Sequence, residues 1–135
     1  MAPGRDRGFD RLADAWMLEE LRQALRRELR THGGQAAVAR SIGVSRSVVR
    51  KFLEMRSVPE PRHLDRLRDW AADRPYAETP LPVVSLAVLV DGLPAGARHR
   101  ARRELAGCLA CIYQQSGEEV PAWLALEVED RRRHP

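Results

Sequence analysis

The chain has 135 residues, 44% hydrophobic and 31% charged, with a net charge of +4 and a pI near 9.8. That length holds one ordinary domain or two small ones without help from disulfides, and the charge permits a polyanionic partner without demanding one. The longest apolar run, LPVVSLAVLV, has about half of the ~20 residues a membrane span needs, and the opening MAPGRDRGFDR lacks an apolar signal core, so we expect no membrane contact and a cytoplasmic location.

Residues 1–11 carry Pro3, Gly4 and Gly8 among charges and are expected to form a flexible N-terminus. From Leu12 to Leu29 the apolar residues Leu18, Leu21, Leu25 and Leu29 recur at spacings of three and four, which predicts an amphipathic helix ending near Gly33 and Gly34. A short helix over 35–42 follows, with Val38, Ala39 and Ile42 on one face. Gly43 can take the positive φ of a tight exit, and Ser45 can cap a third helix, about 46–55, that buries Val49 and Phe52. Pro59 and Pro61 then interrupt the chain. PRHLDRLRDWAAD reads as a fourth helix with Leu64, Leu67 and Ala71 inward, and the three prolines of 75–82, PYAETPLP, predict a stiff linker.

The second half is read as a small, mainly helical segment over 83–130, making the whole chain all-α. The run VVSLAVLV fits a buried helix or a buried strand, and helix is the preferred expectation. Pro94 starts a helix whose apolar stripe is Leu105, Cys108, Leu109 and Ile112, and Pro121 starts the last, with Val120, Leu124 and Val128 four apart. RHRAR at 98–102 and Arg103 are assigned to the wet face opposite Leu105 and Ile112, and 131–135 to an exposed basic tail. Cys108 and Cys111 are read as small hydrophobes on the dry face. The scattered histidines His32, His63, His99 and His134 offer no ligand set with them, so neither a metal nor another cofactor is expected.

Charge is distributed unevenly. Residues 18–74 hold 13 bases and 8 acids, whereas 75–135 hold 7 bases and 8 acids. Between Glu28 and Glu54 the chain carries Arg30, Arg40, Arg46, Arg50 and Lys51 and no acid at all. An ordinary solvated helix face mixes signs for pairing one turn apart. A face without acids suits a polyanion instead.

Two short helices joined by a glycine-containing turn form the helix-turn-helix pattern. Here Ala39 is small where the third helix crosses, Gly43 opens the turn, Val44 plugs the angle between helices, and Val38, Ile42, Val49 and Phe52 fill the joint core. Over residues 17–72, QAAVARSIGVS, SRSVVRKFLE and MRSVP resemble the λ-repressor and Cro-like (XRE family) helix-turn-helix regulators, with Met55 standing where the family often has glycine. The resemblance implies a λ-repressor-like helix-turn-helix bundle over 12–74 and a recognition helix in the DNA major groove. Carried over position by position, it makes Ser45, Arg46, Ser47 and Arg50 the base-contacting candidates. Since Val49 and Phe52 are expected in the core, Arg46, Ser47 and Arg50 share the opposite face, and arginine can bind the O6 and N7 of guanine together. Gln35, at the start of the second helix, and Lys51 and Arg56 are the phosphate-contacting candidates.

The expectation is a sequence-specific transcriptional regulator of double-stranded DNA, cytoplasmic on the nucleoid and acting as a dimeric repressor, with 83–130 supplying the homodimer contact. The structural alternative for 83–130 is that these elements pack on the first domain. The functional alternative is an antitoxin-like or adaptor protein whose C-terminal segment binds another protein and whose helix-turn-helix serves autoregulation. No enzyme is expected: there is no glycine-rich phosphate loop, no HExxH and no nucleophile elbow, and Asp65 and Asp69 among Arg62, Arg66 and Arg68 are read as solvent salt bridges.

Overall fold

A computed structural model gives the protein's structure over residues 7–74 and 79–133, with side chains described for 13–74 and 79–129. Among the described residues it is all-α, with seven helices and no strand: α1 Arg7–His32, α2 Gln35–Ile42, α3 Arg46–Leu53, α4 Pro61–Ala72, α5 Leu81–Asp91, α6 Ala95–Gln115 and α7 Ala122–Arg133. The chain divides into two compact units, Met1–Thr79 and Pro80–Pro135, at a boundary inside the proline-rich stretch.

In unit 1, α1 packs against α2, α3 and α4. Leu21, Ala24 and Leu25 of α1 meet Val38 and Ile42 of α2, Phe52 of α3 and Leu67, Trp70 and Ala71 of α4, and Leu18, Leu29, Val44 and Leu64 close the edges. Each large side chain so enclosed contributes about 1.5–3 kcal/mol through removal of apolar surface from water. The leucine period of α1 therefore names the face that is buried. Trp70 belongs to this core as well, one turn beyond Leu67, with the Arg74 guanidinium 4.3 Å above its ring.

In unit 2, α6 packs against both α5 and α7. The apolar run at 83–90 is helical. Pro80 and Pro82 stand at its start, where a missing N–H costs nothing, and Val83, Val84, Leu86, Ala87 and Val90 are buried. Ala106 and Ala110 of α6 and Leu124 of α7 form the other buried cluster, flanked by Leu109, Tyr113, Val120, Trp123 and Val128. Across it Arg102 and Glu127 make a two-pronged ion pair, Nη2 to Oε1 at 2.7 Å and Nε to Oε2 at 3.2 Å, although the two side chains are only 1% and 7% exposed.

Several expectations are corrected here. The chain is helical from Arg7, so 7–11 belong to α1, whereas 1–6 lie outside the described residues. Gly8 is tolerated because one helical glycine costs about 1 kcal/mol and the buried face further along outweighs it. Linker residues 81 and 82 belong to α5, and 75–78 lie outside the described residues. Of the expected tail, 131–133 continue α7, at an end where the helix dipole favours bases, and 134–135 lie outside the described residues. The stripe of α6 holds only at Leu109, which packs against the buried cluster: Leu105, Cys108 and Ile112 are exposed, as is Cys111, while the supposedly wet Arg102 is buried. The α7 helix meets α6 along its alanines, and Glu127 of α7 neutralises the buried Arg102. Nor do Asp65 and Asp69 form the expected salt bridges. Among the described residues they have no ion pair, because Arg62 pairs with Glu60 and Arg66 reaches the carbonyl of Gly43.

Candidate nucleic-acid interface

The connection between α2 and α3 is built from three residues with separate tasks. Gly43 ends α2 in the left-handed region at φ 89°, and its N–H and that of Val44 both donate to the Ala39 carbonyl. A β-carbon at Gly43 would be strained by that φ, with the Arg66 side chain close by. Val44 turns its side chain into the core, and Ser45 caps α3 by accepting the Val48 N–H on its hydroxyl oxygen at 3.2 Å. The Arg66 guanidinium of α4 donates to the Gly43 carbonyl from outside the turn.

The far end of α3 is fixed from α1. The Arg22 Nε donates to the Phe52 carbonyl at 3.0 Å, and its guanidinium lies 4.7 Å from the centre of the Phe52 ring. Its charge is answered by Glu19, which is fully buried and accepts from Arg22 Nη1 at 3.3 Å and from Gln23 Nε2 at 2.7 Å. A cation at a helix C-terminus also opposes the negative end of the dipole. Beyond it, Met55 takes the left-handed φ of 59° while staying buried, and the following amide, of Arg56, returns to the Lys51 carbonyl. Strain of about 1 kcal/mol or more at such a φ is outweighed by about 1.5–3 kcal/mol from enclosing the methionine. Methionine thus makes the turn that glycine would make.

With both ends held, α3 has a defined inside and outside. Val49 and Phe52 are enclosed, and Ser45, Arg46, Ser47, Arg50 and Lys51 are exposed together. Among the described residues Arg46, Arg50 and Lys51 have no ion pair, and neither does Arg40, exposed on α2. The nearest acid along the chain, Glu54, lies 3.6 Å from Arg56. Arg46 and Arg50 are one turn apart, so both guanidinium groups can reach along one line.

The other candidate positions fall out differently. Gln35 is half-buried in the first turn of α2, which has no side-chain cap and no acid, leaving its first amides for solvent or an anion. Arg56 is exposed but shared with Glu54. Ser45 keeps its hydroxyl proton and one lone pair for a ligand, because its cap uses only one acceptor position.

Compared with known families, curated proteins and solved structures, the chain finds no match. The functional reading therefore stands on the residues themselves. Reading the sequence missed the residues that hold α3 in place: Glu19, Arg22 and Arg66. A signal existed for the first two. They stand beside Leu18, Leu21 and Leu25 on the buried side of α1, where an isolated acid and base three residues apart imply a pair. Arg66 left no such trace, since its partner is a backbone carbonyl.

No group of three or more histidine, cysteine, aspartate or glutamate side chains that could hold a metal occurs among the described residues. No helix there is long and apolar enough to cross a membrane.

Proposed function

We propose that this protein is a sequence-specific double-stranded-DNA-binding regulator of transcription, with α2 and α3 as its helix-turn-helix and α3 laid in the major groove. The observation that carries the reading is the outward face of α3: Arg46, Ser47, Arg50 and Lys51 exposed side by side with no carboxylate paired to the three bases among the described residues. Phosphate attraction draws such a face to any duplex, and the two arginines can select guanines by paired hydrogen bonds. The chain acts as a homodimeric repressor on two half-sites about one helical turn apart, its place being the cytoplasmic nucleoid. Ser45, Arg46, Ser47 and Arg50 meet base edges; Gln35, Lys51 and Arg56 meet phosphates.

Enrichment of random duplexes by the purified protein tests this directly. The expected product is a palindromic motif. Equal recovery of all sequences at moderate ionic strength, or equal binding of the selected site by wild type and an Arg46→Ala, Arg50→Ala double variant, overturns the reading.

A second reading has one observation in its favour. Unit 2 leaves Leu81, Leu89 and Ile112 largely in solvent, at 60%, 70% and 58% exposure, as a surface for another protein would. In that case the chain is an antitoxin-like or adaptor protein that binds DNA for autoregulation, and a stoichiometric partner copurifies with it.

A further inference from the structure

Cysteine outside a disulfide is among the residue types most often enclosed, and what it does when exposed is a matter of its reactivity more than its packing. Unit 2 exposes two. Cys108 and Cys111 of α6 are both free and both exposed, three residues apart and so on neighbouring turns of one side of the helix. Neither thiol has a hydrogen-bond or ion-pair partner among the described residues. Glu104, one turn before Cys108, is held by Arg100 at 3.0 Å. No third histidine, cysteine, aspartate or glutamate among the described residues completes a metal-holding group with the pair.

The spacing selects what two such thiols can do. β-Carbons three residues apart on a helix lie about 5–6 Å from each other, whereas a disulfide needs about 3.5–4.5 Å. Closing that gap requires the helical turn to tighten, and the backbone there is held by Ala106 and Ala110, buried beside Leu124 of α7. One atom placed between the sulfurs removes the conflict, because two metal–sulfur bonds of about 2.3 Å each span about 4.6 Å. Thiolates select soft ions, of which zinc asks for four ligands and copper(I) is satisfied by two sulfurs in line. We infer that Cys108 and Cys111 together bind one copper(I) ion, each thiol giving up its proton and donating a sulfur lone pair to the metal. One copper(I) is taken up and two protons are released, so a neutral pair becomes a site of charge −1. Leu105 and Ile112 border it along the helix and give it apolar flanks that limit the approach of water. The site lies wholly within unit 2 and uses no property of the DNA-facing helix.

Titration of the reduced full chain, without oxygen, against copper(I) held by a coloured chelator tests this. The expected result is one ion per chain, two protons released, two sulfur ligands by X-ray absorption and unchanged helicity by circular dichroism. Cys108→Ser and Cys111→Ser are each expected to bind copper(I) about 100-fold or more weakly, because the second thiolate acts as a tethered group at high effective concentration. A second measurement needs no variant: one equivalent of copper(I) is expected to shield both thiols of the wild-type chain from alkylation, read by mass. Equal affinity in the serine variants, one ion shared between two chains, or thiols that stay open to alkylation overturns the site. So does full removal of the metal by millimolar glutathione, the mark of an adventitious ion only. Ready conversion of the pair to an intramolecular disulfide by glutathione disulfide, with helicity intact, also overturns it, since the turn would then accept the direct bond. Duplex selection on the same preparations separates the two ideas: a chain that binds copper(I) without duplex preference upholds the site and removes the DNA reading alone.

Discussion

Unit 1 places its large side chains inside and leaves the arginines of α3 in water; on α6, unit 2 encloses Arg102 and leaves Leu105 and Ile112 outside. Both units nonetheless contain a buried ion pair, Glu19 with Arg22 in the first and Arg102 with Glu127 in the second. The difference lies in what each pair joins. Glu19 and Arg22 sit on one helix and present a guanidinium to the end of another, so the pair serves to aim α3. Arg102 and Glu127 sit on separate helices, so the pair is itself the contact between α6 and α7. A cation is tolerated inside when its counter-charge comes with it, and what it does there depends on whether that counter-charge is local or distant.

The largest expected effect tests this distinction. Arg102→Ala strands a buried carboxylate and should destabilise unit 2 by about 3–5 kcal/mol. Hydrogen exchange read by mass spectrometry should then show protection lost across α6 and α7 and retained in α1 to α4; equal loss in both units would show that they do not fold separately. Next in size, Leu25→Ala should cost about 3 kcal/mol in urea unfolding, because Leu25 is fully enclosed, whereas Leu89→Ala should stay within about 0.5 kcal/mol of wild type. Similar costs for the two leucines would erase the contrast between a packed interior and an exposed apolar face.

On the outward face of α3, Arg46→Ala should reduce discrimination between the selected duplex and a variant at one guanine by about 1–3 kcal/mol, roughly 5- to 150-fold, in competition binding. Ser45→Ala should lower thermal stability by about 1 kcal/mol through loss of the cap, and Ser45→Gly by only a few tenths. Smallest is Lys51→Ala. It should weaken all duplexes alike and reduce the slope of log affinity against log salt by about 1.

Much of unit 1 was legible in the sequence because each of its helices has a single apolar face. Leu21 and Leu25, Val38, Ala39 and Ile42, Val49 and Phe52, and Leu67 and Ala71 are all where their spacing puts them. The exposed position of Arg46, Ser47 and Arg50 follows from the burial of Val49 and Phe52 at one spacing of three, which is why those candidates could be named in advance. On α6 the same method was right for Leu109 and wrong for Leu105, Cys108 and Ile112. The helix has two faces without strong polarity, one of leucine, cysteine and isoleucine and one of alanines ending in Arg102, and period alone ranks them by size. The deciding fact is Glu127, twenty-five residues on, and pairing across helices leaves no mark in the periodicity of either one. The supports of α3 escaped for a related reason: two of their contacts, Arg22 to Phe52 and Arg66 to Gly43, end on backbone carbonyls, to which any residue type could contribute.

The strut from Arg22 to the last turn of α3 carries a consequence for how the protein would respond to heat. Its acceptor is a carbonyl of the same residue whose ring fills the interior, so α3 cannot swivel on its own axis without pulling Phe52 from its socket. Warming should therefore leave the preference among duplexes sharp up to the temperature at which unit 1 melts, and selectivity and structure should disappear in a single step.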